Sequence, residues 1–188
     1  MTTFWWVRHG PTHETTFTGW RDVPADLSDH DALARLSEFL PNDAVVISSD
    51  LQRARATADA IQGNRRRLPD HPGLREFDFG EWDGLSFDVV SRKWPDLARG
   101  YWERPGDVRA PGGESWNEAE TRVEAARQEI QTNGHAHVVA VAHYGAILSQ
   151  VRLAAQVPAF EVLVHRIDNL SVTCIPLSGP AKLINHVL

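Results

Sequence analysis

The chain has 188 residues, 42% of them hydrophobic and 23% charged, and a formal net charge of -6. That length suits a single domain, 1–188, with a sizeable core, and the acidic balance argues against a general nucleic-acid or membrane-surface binder, since both partners are polyanions. Its one cysteine, Cys174, rules out an internal disulfide; with no signal segment and no apolar run of membrane-spanning length, the expected compartment is the reducing cytoplasm.

Apolar runs and helical periodicities alternate along the chain. "TTFWWV" reads as a short buried strand that ends in Arg8-His9-Gly10. In "LSDHDALARLSEFL", Leu33, Leu36 and Leu40 recur at helical spacing, and Ser28 or Asp29 can cap the start. "AVVIS" is a second buried strand. It leads into "SDLQRARATADAI", where Leu51, Ala54, Ala58 and Ile61 share one helical face. The stretch from Gly63 to Ser86 is rich in Gly, Pro and charge and reads as loop, with Arg65, Arg66 and Arg67 expected on a solvated surface. A helix at "DVVSRKW" follows, inside a variable segment at about 83–111 that reads as a lid or cap. Trp94, Tyr101 and Trp102 within it suit either packing of the lid or contact with an apolar leaving group.

From Trp116 to Ile130 a sustained apolar stripe marks an amphipathic core helix, opened by the capping box of Ser115 and Glu118. "HVVAVA" is a third buried strand, ending in His143, with the helix "YGAILSQVRLAAQ" behind it. "LSVTCI", which holds Cys174 as a core residue, and "AKLINHVL" close the chain as strands. This order predicts an α/β three-layer sandwich, a central mostly parallel sheet with helices on both faces.

In such sheets ligands bind beyond the carboxyl ends of the strands. Three strands would deliver Arg8, His9, Arg53 and His143 to that edge, a donor-rich pocket in an acidic chain. Guanidinium forks suit a tetrahedral oxyanion such as phosphate. A histidine held neutral by that positive charge can attack phosphorus, and a second, protonated one can stabilise the transferring group. A departing alkoxide needs a proton donor, for which Glu76, Asp78, Glu81 and Asp83 in "LREFDFGEWDG" are the nearest carboxyls. The bland alternative for His9 is an ordinary hydrogen-bonded residue at a strand end. His13, His135 and His137 have no spacing specific to a metal.

"VRHGPT", "SSDLQRARATA", "LREFDFGEWDG", "PGGES" and "VVAVAHYGAI" together resemble, in order and across nearly the whole chain, the histidine phosphatase superfamily, the phosphoglycerate mutase-like group. The resemblance implies a metal-independent enzyme without a cofactor. It makes His9 the residue that is phosphorylated, Arg8 and Arg53 phosphate ligands, His143 the partner facing His9 across the phosphate, and Glu76 the proton donor, with Glu81 in reserve. Thr15 stands where the family often has a phosphate-binding asparagine, and Tyr144 where a glycine often follows the second histidine. "FTGWRDVPADLS" resembles the mutase segment that contacts a substrate carboxylate, so Thr18 and Gly19 join the candidate substrate-binding residues with Arg8, Thr15, Arg53, His143 and Tyr144. The longer arginine-bearing insertion of mutases has no match here, which favours a phosphatase. The "LREFDFGEWDG" and "PGGES" blocks also resemble the α-ribazole phosphatases.

The expected function is therefore hydrolysis of a phosphomonoester, with a small phosphorylated metabolite as partner and neither nucleic acid nor membrane. An α-ribazole phosphatase-like or mutase-like phosphoryl transfer is the alternative within the fold. A phosphate-ligand or protein-binding module is the alternative outside enzymology.

Overall fold

The computed structural model describes residues 2–188. Its sheet runs in the order β3-β2-β4-β1-β5-β6, with β1 at Thr3–Arg8, β2 at Val45–Ser48, β3 at Arg66–Arg67, β4 at His137–Ala142, β5 at Val172–Pro176 and β6 at Leu183–His186. The first four strands are mutually parallel where they pair; β5 runs antiparallel to β1, and β6 to β5. The predicted mostly parallel α/β sandwich is thus observed, with a mixed edge.

Side chains alternate across a strand, so the all-apolar strands feed two cores at once. Phe4, Trp6, Ile47 and Ala140 face α5 (Trp116–Thr132) and α6 (Tyr144–Ala155) on one side. Val7, Val46, Val139 and Val141 face α1 (His30–Phe39) and α2 (Gln52–Ile61) on the other. Asp29 caps α1 through the Ala32 N–H, and the Ser115–Glu118 capping box forms at α5 as expected.

The segment at 83–111 builds a third, smaller core. Its helices α3 (Phe87–Lys93) and α4 (Pro95–Glu103) enclose Trp82, Val90, Ala98 and Tyr101. Pro95 opens α4 at a position where its missing N–H costs nothing. A four-residue helix, α7 (Ala159–Val162), lies between α6 and β5.

Within the basic run Arg66 is exposed as expected, but Arg65 departs from expectation. Arg65 is buried, only 5% exposed. Its guanidinium donates to the carbonyls of Ser37 and Leu40 at 2.6 Å each, of Pro41 at 2.7 Å and of Ile61 at 3.2 Å. The last carbonyls of a helix have no partner within it. Arg65 supplies one partner to the ends of α1 and α2 together, and Arg66 and Arg67 form the edge strand β3.

Candidate active site

Strand register sets the site. Arg8 lies opposite Ala142 and Ser48 opposite Val141, so β1, β4 and β2 end flush. The chain continues in step beyond them, with the His9 N–H donating to the Ala142 carbonyl at 3.1 Å and that of Ser49 to Val141 at 3.0 Å. His9 and His143 therefore emerge side by side, their ring centroids 5.0 Å apart.

His9 is 5% exposed and His143 fully buried. The His9 Nδ1 lies 2.7 Å from the Gly10 carbonyl oxygen. A carbonyl only accepts, so Nδ1 carries the proton and the lone pair resides on Nε2. Burial, and then the Arg53 guanidinium, push the ring's pKa down to about 3. His143 is likewise held well below the usual range, by burial first and then by Arg53. Without an anion each ring is thereby favoured in its neutral form, and an anion between them would favour a proton on His143.

Both arginines are anchored through carbonyls. Arg8 donates to Ile167 O at 2.6 Å, and its guanidinium carbon lies 5.6 Å from the centre of the Tyr144 ring. Arg53, 1% exposed, donates to Arg21 O at 3.0 Å and Gly19 O at 2.7 Å. Burial lowers the pKa of both guanidiniums. The Nε of each, together with both ring nitrogens of His143, is buried without a hydrogen-bond partner among the described residues.

Glu76 is buried and accepts N–H bonds from Phe77 at 2.9 Å, Gly145 at 3.0 Å and Ala146 at 3.3 Å. Those last two groups are unpaired donors of the first turn of α6, the helix that begins right after His143. Glu76 thus caps α6 from a remote loop and lies against the second histidine's own helix. All these bonds reach Oε1; Oε2 takes only a 3.2 Å bond from Gly145 and is the freer oxygen. Glu81, the reserve candidate, is exposed.

The remaining expected residues spread out. Tyr144 lines the site beneath Arg8. Thr15 is exposed on its loop. Thr18 and Gly19 turn their backbones to the protein: the Gly19 carbonyl holds Arg53, and its N–H donates to Asp83 Oδ1 at 3.2 Å. Trp94 packs on Trp82, with centroids 6.3 Å apart, whereas Tyr101 and Trp102 line a cavity beside Glu76.

Four supports escaped the sequence reading. Asn169 donates to the His9 carbonyl at 2.8 Å. Thr57 accepts the Gly10 N–H at 2.9 Å and donates to Arg53 O at 2.7 Å, tying the chain just beyond β1 to α2. Trp20 and Arg122 both donate to the Glu76 carbonyl, at 2.8 and 3.1 Å. Only Thr57 carried a signal, its place in "SSDLQRARATA". No group of three or more His, Cys, Asp or Glu arranged to hold a metal occurs among the described residues, and no helix there is long and apolar enough to cross a membrane.

Residues 4–187 match the profile of the histidine phosphatase superfamily (branch 1). The chain belongs to that superfamily. It is 33% identical over 129 residues to the 2,3-bisphosphoglycerate-dependent phosphoglycerate mutase of Mesorhizobium japonicum, a match covering 62% of each chain. The fold is shared with Bacillus stearothermophilus YhfR at 23% identity, TM-score 0.87, over 100% of this chain and 98% of that one. It is shared too with the α-ribazole phosphatase of Shigella flexneri at 22% identity, TM-score 0.81, over 98% of this chain and 96% of that one.

Proposed function

We propose that this member of the superfamily is a metal-independent phosphomonoester hydrolase working through a phosphohistidine on His9. The observation that carries the reading is the His9 ring, held neutral with Nδ1–H fixed on Gly10 O and Nε2 free, beside His143 and two anchored guanidiniums.

In the first step the Nε2 lone pair attacks phosphorus. The ester P–O bond breaks as protonated Glu76 gives its proton to the leaving oxygen. Arg8, Arg53 and His143 supply the unpaired donors that meet the equatorial oxygens, and their burial strengthens each interaction. In the second step Glu76, now a carboxylate, takes a proton from water. The water oxygen attacks phosphorus, the N–P bond breaks, and His9 and inorganic phosphate are released.

Hydrolysis is favoured over mutase transfer by the Thr18–Gly19 turn, whose Gly19 N–H is bound to Asp83 and unavailable to a substrate carboxylate. The mutase relative speaks for the other reading, which predicts dependence on a bisphosphate primer and little phosphate release.

The test is turnover of p-nitrophenyl phosphate in the presence of EDTA. Native protein should release phosphate and His9→Ala should not. Equal turnover by the variant would sink the reading, and loss of native activity with EDTA would remove metal independence.

A further inference from the structure

We infer that the leaving group this site is built for is apolar, beginning at the small cavity of about 40 Å³ beside Glu76, which none of Arg8, His9, Arg53 and His143 lines. The inference rests on the hydrolase reading above and specifies its substrate.

Glu76 forms one wall of the cavity, and Phe77, Phe79, Tyr101, Trp102, Tyr144 and Leu163 form most of the rest. A group bonded to the oxygen that Glu76 protonates has to begin at that wall. The lining is largely aromatic, with Tyr101 and Trp102 packed edge to face on each other at a centroid distance of 5.1 Å. Glu76 is its one charged residue, and no arginine, lysine or histidine lines it. A sugar-acid leaving group would bring a carboxylate into this space, desolvated and without a counter-charge. A hydrocarbon group meets no such penalty.

Two polar atoms on the lining residues, Tyr101 Oη and Trp102 Nε1, are buried and have no hydrogen-bond partner among the described residues. The chain next to Leu163 continues the apolar character outward, with Phe160 and Val164 exposed at 56% and 80%.

The experiment compares kcat/KM for 2-phenylethyl phosphate, ethyl phosphate and 3-phosphoglycerate. The first two release alkoxides of similar basicity, so their ratio reports the pocket and not the chemistry. The ratio of phenylethyl to ethyl should be at least tenfold, with 3-phosphoglycerate below both. Trp102→Ala and Leu163→Asp should each lower that ratio at least fivefold, and Leu163 is a partly buried loop position where a folded variant is expected. A ratio near one in the native protein, a preference for 3-phosphoglycerate, or an unchanged ratio in folded variants would overturn the inference and leave the hydrolase reading standing. Failure to turn over any of the esters, or p-nitrophenyl phosphate, would overturn both.

Discussion

The Glu76 carboxylate and the Gly145 N–H meet at 3.0 Å across 69 residues of chain, and a β-carbon at 145 would sit 2.6 Å from that same Oε1. One contact thus orients the proposed proton donor and caps the helix that follows His143. The carboxylate is the flexible end of a side chain, so Gly145→Ala can be accommodated by moving it and shifting the Phe77 ring, which that β-carbon would meet at 3.0 Å, by a few tenths of an ångström. Alanine also favours helix over glycine by about 1 kcal/mol. The expected outcome is a Tm within a few degrees of native and kcat lower by at least tenfold. Equal kcat would show that the Glu76 position is immaterial.

Removing the acid itself should act selectively. General acid catalysis contributes about 10² to 10⁴-fold, but only where the leaving group needs a proton. Glu76→Gln should therefore slow an alkyl phosphate far more than p-nitrophenyl phosphate, by at least tenfold in kcat. Equal loss on both esters would assign Glu76 to binding, and the exposed Glu81 would then need the same comparison.

Thr57 links the nucleophile's strand to the arginine's helix by one hydroxyl. Thr57→Val keeps the shape and leaves the buried Gly10 N–H without its acceptor, which costs about 1–3 kcal/mol. Urea unfolding should show that loss, together with a raised KM as Arg53 loses its link to Gly10. An unchanged midpoint would mean that the hydroxyl is dispensable.

Acid should weaken the fold through the histidine pair. The folded pKa of His9 is about 3 against an ordinary 6.5, so between these values the unfolded chain binds the extra proton and stability falls as pH falls. His143 is displaced in the same direction. From pH 6 to 5, unfolding free energy should drop by about 1.2 kcal/mol for each histidine still uncharged in the folded protein. His9→Gln should flatten that slope by roughly one histidine's share. A slope unaltered by the substitution would mean that His9 does not resist protonation.

Strands and the histidine edge were legible because both are local. β1, β2 and β4 are unbroken apolar runs, and His9 and His143 each follow a strand by one residue. Arg53, inside a helix, was legible through its motif alone. What remained hidden depends on distant backbone. Asp83 reaches the Gly19 N–H, and Arg122 and Trp20 reach the Glu76 carbonyl, through folding that no spacing records. Arg65 was misread for the same reason: its burial requires two helix ends to converge on one guanidinium. α4 was not delimited because its apolar face meets Trp82 and not the sheet.

The central claim is a covalent bond between His9 and phosphorus, and it can be observed directly. Protein mixed with an excess of a ³²P-labelled phosphomonoester and quenched in denaturant within milliseconds should carry label that is stable to base and released by acid, as a phosphoramidate requires. Peptide mapping should place it on His9, and His9→Ala should carry none. Label on another residue, or turnover by native protein with no trapped label at any time, would contradict the account.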